Sequence, residues 1–312
     1  MDHEVAAWED SYRMTTLIFV MNNNLVILAA GISSRMKLPT TAPQGLDEKL
    51  MDDASRKPKA MIGVGDGYRP FLDYLLYNAS AAGYQDILIV IGANDEVIRD
   101  YYGREDRDNE FHGTTISYAV QAIPIGKTKP QGTADALLQA LQSRIDWQGK
   151  SFTVCNSDNL YSQKALAALR ETTSPGALID YDRRYLQFDD KRIQAFAVIQ
   201  KDQQGFLMDI IEKPLSGQLE ELKDKNGRIG VSMNIFRFSY DLILPELEKT
   251  PLHPERHEKE LPTAVKMMIA RHPQSVPAIP FAEHVPDLTY RSDIASVREY
   301  LGQAFPMLDW RK

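Results

Sequence analysis

Four stretches of the chain carry side chains that could handle a phosphorylated ligand. The run LAAGISSRM (Leu28 to Met36) leads from an apolar segment into a loop of small residues that bears Arg35. Glycine and serine in such a loop let backbone N–H groups converge on phosphate oxygens, and an arginine adds a planar fork of donors. A plain strand-to-helix turn would use the same residues. RKPKAM (Arg56 to Met61) stands just before a predicted short strand, where a lysine can reach back to those phosphates. Gln121 ends another strand-like run and is followed, after an insertion, by QGTADAL (Gln131 to Leu137). Its amide offers a base edge both a donor and an acceptor. Gly132 permits close approach, and Thr133 opens a helix, where an N-terminal cap is the alternative role. In CNSDNLY (Cys155 to Tyr161), Asp158 follows a buried-strand pattern. A carboxylate there suits Mg²⁺, which takes one or two carboxylates together with substrate phosphates and water. An Asx turn would also explain the polar residues.

Other chemistries find little support. No G-x-G-x-x-G follows the first strand, and GKT at Gly126 to Thr128 has Gln121 where a P-loop needs its first glycine. The six histidines are scattered; His253, His257 and His272 fall in a charged, helical-looking region that suits a solvated surface. Cys155 is the single cysteine, which excludes an internal disulfide and a Cys-based zinc site. Its apolar surroundings predict a buried, inert thiol and suit a reducing cytoplasm. The net charge of -7, without a basic stripe, argues against nucleic acid. No apolar run approaches the ~20 residues of a membrane span. The acidic lead MDHEVAAWED does not read as a signal peptide.

The elements that must position these residues alternate between strand and helix patterns, which predicts an α/β fold. LVILAAG, DILIVIG, ISYAVQ and SFTVCNSD read as strands; PFLDYLLYNASAAG, with Pro70 at its first position, and GTADALLQALQS read as helices. Ligands in doubly wound sheets bind beyond the carboxyl ends of the strands, at a switch point. That directs attention to the segments after Gly31, after Gln121 and around Asp158. Farther on, AFAVIQKD and FLMDIIEKP predict a hairpin around QQG, GRIGVSMNIFRF a further strand, LPTAVKMMIARH a helix with Pro262 near its start, SVPAIPF a short strand, and SDIASVREYL a helix capped by Ser292. The expected organisation is an extension over residues 1–23, with Met14 and Met21 as alternative starts, and one domain over 24–312. Its nucleotide-binding half is expected over about 24–180 and its acceptor-binding half over about 181–312.

Taken in order, LAAGISSRM, KPKAM, VQ…GTADAL, CNSD and IIEKP resemble the nucleotidyltransferase superfamily of sugar-phosphate pyrophosphorylases, from about Leu25 onward. The resemblance implies a Rossmann-like, mainly parallel mixed sheet of the glycosyltransferase-A type. It implies Mg²⁺-dependent transfer of a nucleoside monophosphate from an NTP to a sugar 1-phosphate, with release of pyrophosphate. Leu28, Ala29, Ala30 and Gly31 look like the triphosphate-binding signature. Arg35 would contact the β- and γ-phosphates, Lys59 the α-phosphate, and Gln121 and Gly132 the base. Asp158 looks like the metal aspartate, and Glu212 and Lys213 like the pair contacting sugar and phosphate. Asn234 falls in an acceptor-binding segment.

The chain also departs from the superfamily pattern. The stretches between Arg35 and Lys59 and between Gln121 and Gly132 are long for it. A second metal aspartate is expected near the end of the chain, where PDLTYRSDI offers Asp287, with Asp293 as competitor and without the usual glycine. The implied partners are an NTP and a phosphorylated small molecule, with no nucleic acid or membrane; a homo-oligomer is compatible. Cytidylyl transfer to an alcohol phosphate such as phosphocholine, a glycosyltransferase on the same kind of fold, and a non-catalytic nucleotide sensor are the alternatives.

Overall fold

The apolar run LVIL becomes a strand buried on both faces, and the rest of the sheet is built outward from it. The computed structural model describes residues 22–38, 47–214, 217 and 219–309. Residues 1–21 of the expected extension, and 39–46 of the long stretch before Lys59, lie outside the described residues.

Chain order begins β1 (Asn24–Leu28), α1 (Ser34–Lys37), α2 (Glu48–Arg56), α3 (Phe71–Ala81), β2 (Asp86–Gly92), α4 (Glu96–Tyr102), β3 (Asn109–Phe111), β4 (Thr114–Gln121) and α5 (Thr133–Ser143). It continues with β5 (Ser151–Asn156), α6 (Gln163–Glu171), β6 (Gly176–Asp182), α7 (Asp190–Ala195), β7 (Val198–Lys201) and β8 (Leu207–Ile211). Last come β9 (Gly230–Val231), β10 (Ile235–Ser239), α8 (Tyr240–Lys249), α9 (Leu261–Arg271), β11 (Ala278–Phe281) and α10 (Asp293–Ala304).

The strands form one sheet in the order β3-β4-β2-β1-β5-β10-β6-β9-β7-β8, with β11 alongside β6. β4, β2, β1 and β5 run parallel, with Leu25 opposite Ile87 on one side and Ile27 opposite Cys155 on the other. The direction of winding therefore reverses between β2 and β5, at the end of β1. Leu25 and Ile27 pack into a core with α3 and α6, and Val26 into a second core with α5, α8 and α9. Helices on both faces explain why β1 and β2 are almost uninterruptedly apolar.

Several expectations shift. GRIGVSMNIFRF is two strands, because Asn234 takes a left-handed φ of 56° between them. The break lets the chain leave β7 and β6, where Val231 pairs with Val198 and Tyr181, and wedge β10 antiparallel between β5 and β6. Asparagine tolerates that conformation better than most residues. Pro70 sits just before α3 rather than at its first position. Ser292 makes no capping bond; the side chain of Asp293 instead accepts from the N–H groups of Thr289 and Tyr290. Lys59 lies in a 3-10 turn (Lys59–Met61) followed by irregular buried chain rather than by a strand, with Gly63 N donating to Asp53 Oδ2. His253 and His257 lie in a turn, not a helix.

β6 is hidden in the sequence because Asp180 and Asp182 interrupt its apolar run, yet both are buried. Asp180 Oδ2 is held by Lys201 at 2.5 Å and Arg228 at 2.7 Å. A Cβ on Gly230 would fall 1.7 Å from Asp180 Oδ1, and those two cations keep the carboxylate from retreating. Gly230→Ala is therefore expected to destabilise the fold by about 1–3 kcal/mol, read as a lower urea midpoint at unchanged slope.

Candidate active site

At the carboxyl ends of β1, β4 and β5 the surface opens into a cleft of about 990 Å³. Its walls include Leu28 to Gly31, Arg35, Lys59, Gln121, Gly132, Thr133, Asp158, Glu212, Lys213, Asn234, Asp287 and Asp293. The structure thus brings every predicted site residue to one place, at the switch point of the sheet. The GKT tripeptide is not part of the lining.

The loop after β1 is fastened at both ends. Ala29 N donates to Val90 O at 2.8 Å, and Ser157 N to Leu28 O at 3.2 Å. The left-handed residue of the turn is Ser33, with φ 55°, rather than Gly31. Ser33 Oγ accepts from Lys59 N at 3.3 Å, which ties the loop to the lysine turn. A Cβ on Gly31 would meet nothing within 4 Å, so the backbone there faces open cleft. Arg35 is exposed and lies with its guanidinium 5.5 Å from the centre of the Tyr290 ring.

Asp158 stands two residues beyond β5 and pairs with the Lys59 ammonium. Its loop is zipped to the segment carrying Asp287: Leu288 N donates to Asp158 O at 2.8 Å, Leu160 N to Pro286 O at 2.9 Å, and Asn159 bridges Asp287. Burial, and then the negative charge of Asp158, push the Asp287 carboxyl above its ordinary range; Arg192 opposes this. Asp287 Oδ1 accepts from Thr289 Oγ1 at 2.6 Å and Oδ2 from Arg192 at 2.8 Å. Asp293 is more fully committed: one oxygen accepts two backbone N–H groups and the other pairs with Arg192 at 2.6 Å. Of the two candidates, Asp287 is the one whose backbone bridges the Asp158 loop.

Gln121 departs from expectation. Its Nε2 donates to Gly132 O at 2.9 Å and to Asp135 Oδ2 at 2.8 Å. Both partners can only accept, so the amide nitrogen must face them and only Oε1 is left for a ligand. Gln121 offers an acceptor, not the donor–acceptor pair expected of it. Thr133 does not cap its own helix; Gly132 holds the cap position, and Thr133 Oγ1 accepts from Leu261 N at 3.0 Å.

The acceptor side contains partners that the sequence did not single out. Arg256 binds Glu212 at 2.6 Å and Glu260 at 2.8 Å, so Glu212 enters the cleft already neutralised. Burial and the charge of Glu212 raise the Glu260 carboxyl. Lys129 pairs with Glu258 at 2.6 Å. Lys213, with φ 46°, and Asn234 are both exposed on left-handed backbone. Arg192, Arg256 and Tyr290 occur in loops or a short helix without a recurrent pattern, and only the tertiary fold brings them to the cleft. Cys155 is fully buried in the core and its thiol is pushed up by burial, as expected.

Gly132 has φ 95° and ψ -175°, a region essentially restricted to glycine. A Cβ there would stand 2.6 Å from Lys259 O. Gly132→Ala is expected to cost about 1–3 kcal/mol in stability, measured by urea unfolding.

The nucleotidyl transferase family model matches residues 45–294. A glucose-1-phosphate adenylyltransferase of Koribacter versatilis is 23% identical over 214 residues, covering 66% of this chain and 49% of that protein. One of Corynebacterium kroppenstedtii is 24% identical over 170 residues, covering 54% and 41%. The chain thus spans about half or less of the length of these curated relatives. A crystal structure of UDP-glucose pyrophosphorylase complexed with UDP-glucose superposes with a TM-score of 0.65 at 17% identity, covering 91% of this chain and 100% of that one. The likeness extends to the fold, an α/β architecture around a mixed, mainly parallel sheet. With four-fifths of its length inside the family match, the chain belongs to the nucleotidyl transferase family.

Proposed function

We propose that this enzyme transfers a nucleoside monophosphate from an NTP to a sugar 1-phosphate and releases pyrophosphate, with Mg²⁺ held by Asp158 and Asp287. The observation that carries the proposal is the meeting, in one cleft, of the β1 loop with Arg35, the Lys59–Asp158 pair, and Asp287 on the segment bonded to the Asp158 loop. Glucose-1-phosphate adenylyltransferases among the relatives support a sugar 1-phosphate as acceptor.

The donor set fits magnesium. No group of three or more His, Cys, Asp or Glu side chains poised for a metal occurs among the described residues. Two hard carboxylates with substrate phosphates and water are the usual complement for Mg²⁺, whereas zinc would call for nitrogen or sulfur ligands. When bound, the ion neutralises phosphate charge and templates the attack.

The acceptor phosphate has its second pKa near ~6, so it is largely dianionic at neutral pH. It needs no general base, which agrees with the absence of histidine from the cleft lining. Its oxygen attacks the α-phosphorus; the bond from that phosphorus to the bridging oxygen breaks, and pyrophosphate leaves with the electron pair. Lys59 stabilises the charge that builds on the α-phosphoryl group, Arg35 holds the departing pyrophosphate, and Lys213 attracts the acceptor phosphate. Glu212, its charge balanced by Arg256, is assigned to sugar hydroxyls. Gln121 and Gly132 face the base, with Gln121 accepting from a base N–H. Catalysis then rests on positioning and preorganised charge. No helix of the described residues is long and apolar enough to cross a membrane, and small phosphorylated substrates suit an enzyme of the cytoplasm.

Removing one preorganised charge contact typically costs ~10²–10³ in rate. Lys59→Ala and Asp158→Ala should each lose about that much in pyrophosphate release, assayed with each NTP, Mg²⁺, and a panel of sugar 1-phosphates and alcohol phosphates. Turnover near that of the unmodified enzyme in either variant would refute these roles. Asp287→Asn should lose far more activity than Asp293→Asn at limiting Mg²⁺; the reverse order would exchange the ligand assignment.

A further inference from the structure

Arg192, on α7, is held by contacts that differ in how readily they give way. Nη1 pairs with Asp293 Oδ1 at 2.6 Å, and the other Asp293 oxygen is fixed by the N–H groups of Thr289 and Tyr290. The guanidinium also lies 4.4 Å from the centre of the Phe188 ring and 5.7 Å from that of Tyr290. Asp293, with both oxygens engaged, is the firmer of the two anchors. Nη2, in contrast, rests on Asp287 Oδ2 at 2.8 Å, the carboxylate assigned above to a divalent cation. Lys59 stands in the same relation to Asp158. Each carboxylate of the pair therefore carries a side-chain cation as its partner.

A divalent cation on Asp287 Oδ2 competes with the guanidinium for that oxygen, and the proposal is that the cation displaces it. Nη2 would then keep only a 3.5 Å approach to the Asp287 carbonyl. Arg192 is only 15% exposed at its side chain, and a charged donor left unpaired at such a site is costly. The oxygen that attacks the α-phosphorus belongs to a phosphate that must enter the same cleft, whose lining includes Arg192. A guanidinium anchored at one end and free at the other matches phosphate geometry well.

We propose that Arg192 is a ligand of the acceptor's phosphate, held on Asp287 until the divalent cation takes that carboxylate. The inference rests on the function proposed above. It makes metal and acceptor binding mutually reinforcing, because each favours the position of Arg192 that the other requires.

The test separates competition for the metal from simple support of Asp287. Mn²⁺ is titrated calorimetrically into the nucleotide-free protein, and α-D-glucose 1-phosphate is titrated with and without Mn²⁺. Arg192→Gln should bind Mn²⁺ about tenfold more tightly than the unmodified protein, since a competing cation is gone, and should bind glucose 1-phosphate about tenfold more weakly when Mn²⁺ is present. Arg192→Lys keeps the charge but not the fork. It should restore the weaker Mn²⁺ binding without restoring glucose 1-phosphate, and its thermal midpoint controls for misfolding. Weaker Mn²⁺ binding by Arg192→Gln would overturn the proposal, because Arg192 would then only position Asp287. Unchanged glucose 1-phosphate binding with Mn²⁺ present would overturn it as well. If the unmodified protein released no pyrophosphate with any substrate pair, the parent function would fall, while the Mn²⁺ titration would still decide whether Arg192 competes for Asp287.

Discussion

Two carboxylates carried on adjacent segments inside a protein wall must be neutralised, and the architecture around Asp158 and Asp287 follows from that need. Removing charge from water costs far more than a surface ion pair returns. Asp158 is therefore met by Lys59 from the turn after α2, and Asp287 by Arg192 from α7. Lys59 and Asp158 are 99 residues apart in the chain, and Arg192 and Asp287 are 95 apart, so neither carboxylate is neutralised until distant segments meet. The backbone zipper between the Asp158 loop and the Pro286–Leu288 segment holds the acids in register. A site that concentrates opposite charges in this way is preorganised for a ligand that brings both a cation and polyanionic phosphates.

Segments late in the chain also brace the wall of the cleft around Arg35 and Gly132. Arg291 donates to Met36 O at 2.9 Å and to Ser55 Oγ at 3.0 Å, which ties the turn before α10 to the helices around Arg35. Tyr290, next to it, lies between Arg35 and Arg192. Lys259 exchanges backbone bonds with Gln131 and Ala134, so the segment before α9 braces the glycine turn at the start of α5. The β1 loop, the glycine turn before α5 and the Asp158–Asp287 segments thus share one frame.

Much of this was legible in the sequence where the signal is local. β2, α5 and β5 announce themselves through apolar runs and helical spacing, and the residues that follow the strands are those that line the cleft. The order of the motifs made the family readable. The LAAGISSRM loop lies upstream of the matched span, so its place in the site rests on the fold and on its own residues. What was not legible depends on contacts between distant segments. Asp180 disguises β6 because its cations, Lys201 and Arg228, come from other parts of the chain. The amide of Gln121 is half spent on Asp135, a partner that spacing alone does not reveal. Asn234 looks like a strand residue until the crossing of the sheet requires a turn there.

That crossing has a consequence for how the molecule assembles during synthesis. Ile235 pairs with Cys155, about eighty residues earlier in the chain. Until β10 emerges from the ribosome, β5 has a bare edge in the middle of what will be the sheet, with Val154 and Cys155 exposed along it. At the usual ~5–20 residues per second the interval is on the order of ten seconds. An apolar, unpaired edge is a template for pairing with another chain. The strand that pairs with β5 therefore also removes an unpaired edge from the nascent chain.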